Sequence, residues 1–274
     1  MMSSNISPLT VAQTAVLAQR LLAMADDELI LAHRDSEWTG HGPILEEDIA
    51  IANIAQDELG LASTFYGMGE TLTGQTPDQL ACFREAAKFL SVQLVSLPKG
   101  DWAFTMLRQY LFDAYEQVLI ETAVSKPNTY QPLADALAKF RGEEMYHLRH
   151  THMWVERLGL GTDESRRRMQ TALDELWPLC GQLFVPLPDE HLLVAAGLVP
   201  DVAALVESWR GIVEPHLVAS GLTLPQKPLT EQTEHLTRLL ADMQQVSRFD
   251  PEAEFLADDG KDNPVNRNGR LAIA

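Results

Sequence analysis

The sequence has little of what would indicate secretion or membrane insertion. Only two cysteines occur among 274 residues, Cys82 and Cys180, and they lie far apart. This argues against a disulfide framework or a zinc knuckle and is typical of a protein in the reducing cytoplasm. No segment approaches 18 uncharged apolar residues, so no transmembrane helix is expected. Residues 1–8 lack a basic stretch followed by an apolar run, which predicts no secretory signal.

Positive charge is also scarce. The chain has 21 Lys and Arg against 39 Asp and Glu, a formal net charge of −18. Phosphate would be repelled, which argues against a nucleic-acid partner. We expect the acidic surface mainly to keep the protein soluble, with a basic partner face as the alternative. The sequence has no glycine-rich phosphate loop, no Gly-x-Ser-x-Gly elbow and no recognisable Cys–His arrangement, so the catalytic classes that use them find no support.

Helical periodicity dominates the first 160 residues, and 46% of all residues are apolar, as in a globular protein. Leu17, Leu21, Met24 and Leu31 recur at three- and four-residue steps, as one buried helix face requires. The pattern predicts long helices over 11–37, 44–72, 101–124 and 129–158, with a shorter helix over 78–97. Glycine and proline runs separate these segments.

Two long helical hairpins joined by a crossover predict an all-α, ferritin-like four-helix bundle with additional C-terminal helices. Beyond residue 162 we expect shorter helices to about 183, over 200–219 and over 232–248. The predicted domain organisation is one helical domain over 1–255 and a flexible polar tail over 256–274. Within the domain, the core bundle would occupy about 11–160 and the extra helices about 162–250.

Each long helix carries one glutamate on its apolar stripe: Glu28, Glu58, Glu116 and Glu144. A carboxylate that faces a core is costly unless it is paired, protonated or bound to metal. In each hairpin the two glutamates lie about 14 to 16 residues from the turn, so at about 1.5 Å per residue they stand at nearly the same height. Four carboxylates at one level of a bundle can form a dinuclear metal site.

Di-iron sites of this kind also need two Glu-x-x-His motifs, because residues three apart on a helix point the same way. Glu144 and His147 supply one motif. The other would follow Glu58, but Leu61 stands where the histidine is needed, and leucine cannot ligate metal. We therefore interpret the five residues as a vestigial or partial site, in which residual metal binding is possible.

Neighbouring residues leave alternatives open. A shift of one residue in helix phase would place Asp27 at the centre instead of Glu28. Asp57 and Asp113 lie within about one turn of the site. We expect both on solvated helix faces, with contact to a ligand residue as the alternative.

Other histidines and one basic run are assigned to the surface. His150 and His152 point away from the stripe of His147 and are expected at the surface or an interface. The run 166–168 consists of three arginines, and we expect a solvated helix face there. A bound phosphate or an acidic patch of a partner is the alternative for that run.

Several segments together resemble the C subunits of bacterial phenylacetyl-CoA 1,2-epoxidases, over about residues 15–250. The segments are 36–43 (SEWTGHGP), 46–50 (EEDIA), 52–55 (ANIA), 108–114 (RQYLFDA), 146–149 (YHLR), 154–159 (WVERLG), 169–170 (MQ), 176–177 (LW) and 233–236 (TEHL).

The resemblance implies a subunit of a multicomponent monooxygenase of aerobic phenylacetate catabolism. In that family a homologous A subunit holds the di-iron centre and epoxidises the aromatic ring, and a reductase delivers electrons from NADPH. The C subunit is a structural partner with a degraded metal site, so no catalytic residue and no cofactor are expected in this chain. We accordingly expect a cytoplasmic hetero-oligomer with the A subunit and other epoxidase subunits. A self-sufficient di-metal carboxylate oxygenase or metal-binding ferritin-like protein is the alternative.

Overall fold

A computed structural model describes residues 9–226 and 235–249, and all of its regular structure in these ranges is helical. The α-helices are α1 (Val11–Ser36), α2 (Leu45–Thr73), α3 (Pro77–Cys82), α4 (Gln93–Ser96), α5 (Trp102–Ser125), α6 (Gln131–Gly159), α7 (Asp163–Leu176), α8 (His191–Ala195), α9 (Val206–Ala219), α10 (His235–Met243) and α11 (Gln245–Phe249). Three 3₁₀ segments cover Ala86–Lys88, Trp177–Phe184 and Val202–Leu205. None of the described helices is long and apolar enough to cross a membrane.

The four long helices have the bounds that periodicity predicts, to within one or two residues. Local signals set their ends. Thr10 and Gln13 form a reciprocal capping box at the start of α1. At the end of α2, Gly74 adopts a left-handed conformation with φ of 75°, and its N–H bonds to the Glu70 carbonyl oxygen. Asp101 caps α5 by accepting a hydrogen bond from the Phe104 N–H.

The bundle consists of two hairpins. Helix α1 packs along α2, and α5 packs along α6, while α2 also contacts α6 and so closes the bundle. The all-α, ferritin-like fold predicted above is therefore confirmed. Helices α7 and α9 cover the outer side of α5. Trp209 on α9 is fully buried there, and its Nε1 donates to the Leu111 carbonyl oxygen at 3.0 Å.

The prediction of one helix over 78–97 is wrong. The chain forms only α3, a 3₁₀ turn and α4 in this stretch. Between the turn and α4, the backbone N–H of Leu90 donates to Asp26 and that of Val92 donates to Asp27, at 2.8 and 2.7 Å. Carboxylates of α1 thus take the donors that a helix would need for its own carbonyl oxygens, and the segment is extended.

The C-terminal helices are shorter than predicted. Helix α7 ends at Leu176, and the chain tightens into a 3₁₀ segment because Pro178 cannot continue an α-helical hydrogen-bond ladder. The helix predicted over 200–219 begins as a 3₁₀ turn and becomes α9. The helix predicted over 232–248 appears as α10 and α11. Residues 232–234 and the predicted tail over 256–274 lie outside the described residues, so the domain limits stay a prediction.

Candidate metal centre

The four glutamates meet inside the bundle. Glu28 on α1, Glu58 on α2, Glu116 on α5 and Glu144 on α6 are all buried, none more than 4% exposed. Glu28, Glu58 and Glu116 each offer a carboxylate oxygen, and these three atoms lie within 4.8 Å of one another. These three side chains therefore lie close together, as the equal heights inferred from hairpin geometry predict.

His147 completes the cluster from α6. Its Nδ1 lies 3.6 Å from Glu144 Oε2 and 3.7 Å from Glu58 Oε1, so the ring joins the glutamates of two helices. Its Nε2 lies 3.2 Å from Asp57 Oδ2 on α2. A carboxylate on the far nitrogen fixes the orientation of a metal-ligating imidazole and directs the other nitrogen inward.

A second set of polar side chains surrounds the cluster. Gln109 Nε2 on α5 donates to Glu58 Oε1 at 2.7 Å and to Asp113 Oδ1 at 2.8 Å. The hydroxyl of Thr151 on α6 donates to Asp113 Oδ2 at 2.8 Å. Asp113 is fully buried, so its assignment to a solvated face is wrong. Sequence reasoning did not select Gln109 and Thr151, although both lie on apolar helix stripes, as buried polar residues do.

The structure also decides between Glu28 and Asp27. Glu28 points to the centre and shares it with Glu58 and Glu116. Asp27 faces the other side of α1, where it accepts a hydrogen bond from the Val92 N–H. Successive residues on a helix are turned by about 100°, so the two carboxylates cannot serve one site.

Burial and mutual repulsion favour the protonated forms of three carboxyl groups at the centre, those of Glu28, Glu58 and Glu116. Burial, followed by the charges of Glu116 and Glu58, raises the pKa of Glu28 well above its usual range. Burial and the charge of Glu144 do the same to the pKa of Glu116. Burial raises the pKa of Glu58 to about 7. In metal-free protein the cluster therefore retains protons that exposed glutamates would lose.

The pKa of His147 is raised, whereas burial by itself lowers the pKa of a histidine. Burial alone disfavours the imidazolium, but the close approach and charge of the Glu144 carboxylate, with the charges of Glu58 and Asp113, outweigh it. Together they raise the pKa of His147 to about 10. In the absence of a metal, the imidazolium is the cation that partly offsets the buried carboxylates.

Several buried atoms of the cluster have no hydrogen-bond partner within the described part of the chain. They are Glu28 Oε2, Glu58 Oε2, Glu116 Oε2, both Glu144 oxygens and His147 Nδ1. Carboxylate oxygens of Glu28, Glu58 and Glu116 within 4.8 Å of one another suit a hard cation, since Mg²⁺ and Mn²⁺ take carboxylate ligands and Fe²⁺ also takes imidazole. Four carboxylates and one imidazole thus fit a metal ion in chemical type.

The position of the missing ligand is apolar. Leu61, one turn after Glu58 on α2, is fully buried and belongs to the main hydrophobic core. It offers no donor atom, so α2 contributes a carboxylate alone where α6 contributes a carboxylate and an imidazole. The set fits one cation better than two, because a dinuclear site of the ferritin-like type needs a histidine from each of two helices.

Histidines outside the centre occupy two different environments. The surface assignment of His150 is wrong: the residue is 9% exposed, and its Nε2 lies 3.1 Å from Glu47 Oε2. Glu47 Oε2 also accepts a hydrogen bond from Trp154 Nε1 at 2.8 Å. His152 is exposed, as expected, and its ring stacks on His216 with a centroid distance of 3.4 Å.

The basic run 166–168 is engaged in ion pairs at the surface. Arg166 pairs with Asp163, Arg167 pairs with Glu164, and Arg168 bridges Glu164 and Asp101. All three side chains are about half exposed or more. This is the solvated face that was expected for the run.

Comparison with known proteins identifies the family. The family described as phenylacetic acid catabolic protein matches residues 3–255. A relative from Escherichia coli (strain K12), named as the C subunit of 1,2-phenylacetyl-CoA epoxidase, is 36% identical over 238 residues, which covers 84% of this chain and 95% of that protein. The resemblance noted in the sequence is thereby confirmed. The chain belongs to the phenylacetic acid catabolic protein family and is a homologue of the C subunit of this epoxidase.

Proposed function

We propose that this chain is a non-catalytic, structural subunit of a phenylacetyl-CoA epoxidase and pairs with a homologous di-iron subunit that performs the chemistry. The observation that carries the proposal is Leu61. It is a fully buried apolar side chain at the one position where a second Glu-x-x-His motif needs a ligand. The relative's name, which designates a subunit, supports an assembly of several chains.

The residues of the centre have a structural role in this proposal. Gln109 Nε2 joins Glu58 to Asp113, and His147 links Glu58 and Glu144 to Asp57, so contacts from α2, α5 and α6 converge there. Such a polar network fixes the register of the helices as a purely apolar core would not. The partner would then dock on a bundle of fixed shape in the reducing cytoplasm, where both free cysteines stay unpaired.

Co-expression with the homologous di-iron subunit tests this role. We expect the two chains to co-purify and the complex to epoxidise phenylacetyl-CoA. Glu144→Gln together with His147→Gln in this chain removes part of the polar network and should lower the yield of complex, but the turnover of each assembled complex should be unchanged, because the chemistry takes place in the partner. Failure to co-purify, with full epoxidation by the di-iron subunit alone, would remove the proposal.

A second candidate function follows from the unpaired carboxylate oxygens. The oxygens of Glu28, Glu58 and Glu116 lie within 4.8 Å of one another, and His147 Nδ1 has no hydrogen-bond partner among the described residues, which favours a metal-binding ferritin-like protein or a self-sufficient oxygenase. If iron were bound, it would supply oxidising chemistry, and these residues would hold it. Elemental analysis separates the candidates, because one or two equivalents of iron or manganese per chain would favour this one and metal-free protein would favour the structural role.

A further inference from the structure

In the described part of the chain, the shorter helices leave one side of the bundle open, the outer side of α2 and α6. Helices α4 and α8 pack on α1, while α7 and α9 pack on α5 and the adjoining side of α6. Helix α3 meets α2 only near its C-terminal end, where Leu80 lies against Gly69. The exposed stripes that flank the groove between α2 and α6 form what we call the α2–α6 face: Ile49, Asn53 and Gln56 of α2, and Tyr146, Arg149 and Met153 of α6.

Polar contacts beneath the α2–α6 face hold its two helices together. Glu47 Oε2 of α2 lies 3.1 Å from His150 Nε2 of α6 and accepts a hydrogen bond from Trp154 Nε1 at 2.8 Å. These contacts bring Ile49 and Met153, which are close neighbours of the bonded residues along the chain, to the same level of the bundle. The two stripes therefore form one continuous surface on two rigid helices.

The α2–α6 face exposes apolar side chains in the middle of long helices. Ile49, Tyr146 and Met153 are each about half exposed. Among the described residues, α1 and α5 expose one large apolar side chain each, Val11 and Val124, and both lie in a terminal turn. Single exposed apolar residues are ordinary, but several on one open face are typical of a surface that another protein covers, and tyrosine and methionine are enriched there.

The size of this open side suits a stable interface. Helices α2 and α6 have 29 residues each. At about 1.5 Å per residue each is about 43 Å long, and two packed helices present a strip about 20 Å wide. The strip therefore covers about 860 Å², close to the roughly 800 Å² that each partner buries in an interface of standard size.

The shape of the face favours another helical bundle as the partner. Two long helices side by side form ridges and grooves into which a second pair of helices packs. A homologous chain with the same fold offers such a pair. A second copy of this chain is a poorer match, because each copy carries a formal net charge of −18 and the two would repel each other. The relative's name, which designates a subunit, also favours a different chain as the partner.

We propose that the homologous di-iron subunit docks on the α2–α6 face. This inference rests on the proposed function, which supplies the partner, and it adds the place on this chain where the partner binds. The docked helices would cover the half-exposed Ile49, Tyr146 and Met153 and remove their apolar surface from water.

The affinity of the full-length chain for the di-iron subunit, measured by isothermal titration calorimetry, tests the location. Ile49→Glu combined with Met153→Glu places two carboxylates in the face and should weaken binding at least about ten-fold, because both charges would lose their water on docking. Val185→Glu combined with Val218→Glu is the matched control. It adds the same charge at two exposed valines outside the face and should change the affinity less than about two-fold.

The outcomes separate this inference from the proposed function. If the parent chain does not bind the di-iron subunit, the proposed function fails and the inference fails with it. If the parent binds and the face variant binds as tightly, or the control variant weakens binding equally, only the inference is wrong. Sedimentation of this chain alone gives a further check, because a homodimer that the face variant dissociates would assign the face to a second copy and overturn the inference.

The substituted side chains are exposed, so the urea midpoints of the face variant and of the control should agree. If the glutamate variant does not fold, Ile49→Ala combined with Met153→Ala replaces it. This truncation should weaken binding of the di-iron subunit at least about five-fold. An unchanged affinity in the alanine variant would overturn the inference.

Discussion

Two buried charged clusters lie in the same bundle, and they differ in how their charges are compensated. Arg108 on α5 pairs with Asp35 on α1 at 3.0 Å, both side chains are fully buried, and Arg108 Nη1 also donates to the Leu97 carbonyl oxygen. The carboxylate cluster has four glutamates and Asp113 against the single imidazole of His147. A balanced pair is what a purely structural contact requires, whereas an excess of acceptors is what a cation site requires.

The Arg108–Asp35 pair is a structural contact, whereas the carboxylate cluster is a candidate cation site. The Arg108 pair holds α1 and α5 together and uses all of its charge internally. The cluster has the acceptors of a metal centre, and Leu61 stands where a ferritin-like di-metal site would have its second histidine. Variants and conditions that change the charge balance of each cluster test this interpretation.

The largest effect is expected from breaking the balanced pair. Arg108→Met leaves the Asp35 carboxylate buried without a cation, and we expect it to lower the free energy of unfolding by about 3–5 kcal/mol. Urea denaturation followed by circular dichroism measures the change. The double variant Arg108→Met/Asp35→Leu is the control and should recover most of the loss, because it leaves no unpaired charge. A double variant as unstable as the single one would contradict this account.

A change of pH should act on the unbalanced cluster. The folded-state pKa of Glu58 is about 7, above the 4.5 of an exposed glutamate, so the folded state binds more protons between these values. Its stabilising contribution is present below pH 4.5 and is lost as the pH rises through 7. The contribution of His147, with a pKa of about 10 against 6.5, is lost between pH 6.5 and 10.

We therefore expect the free energy of unfolding of chelator-treated protein to fall by about 2–3 kcal/mol between pH 5 and pH 7. Urea midpoints across this range measure the fall. In Glu58→Gln the slope should be shallower, because the amide does not titrate. A stability that increases with pH would show that the cluster does not hold its protons in the folded state.

A histidine at position 61 should lower the stability less than the changes above, and it should raise the amount of metal bound. Leu61→His places a polar ring in the core and should lower the stability of the metal-free protein by about 1–2 kcal/mol. It completes the second Glu-x-x-His motif, so iron bound after anaerobic loading should at least double, as measured by elemental analysis. Leu61→Asn, which is polar but a poorer ligand, should lower the stability by a similar amount without raising the iron content. Equal iron content in the parent and in Leu61→His would contradict this reading of the site.

The smallest effect is expected at the surface. Arg168 pairs with Glu164 and Asp101 on an exposed helix face, and such pairs contribute little. Arg168→Met should therefore change the free energy of unfolding by less than about 0.5 kcal/mol. Added salt should reduce even that difference, which urea curves at low and high ionic strength would measure. A loss comparable with that of Arg108→Met would mean that burial does not separate the two kinds of ion pair.

Much of the candidate site was predictable from sequence because its geometry is local to single helices. Glu144 and His147 share a face at a spacing of three residues, and the apolar stripes place Glu58 and Glu116 in the core. The surrounding layer was not predictable in this way. Asp113 and His150 are buried only because polar partners on other helices, Thr151 and Glu47, meet them there.

The sequence by itself determined the helical fold, the two hairpins and the level at which four glutamates meet, since periodicity and helix rise depend on the chain alone. Only the tertiary structure decided that Glu28 and not Asp27 faces the centre, and that the segment before α4 is extended. In that segment, carboxylates more than 60 residues away compete for the backbone N–H groups. The sequence of the segment alone cannot predict its extended conformation, because that conformation depends on which helix packs beside it.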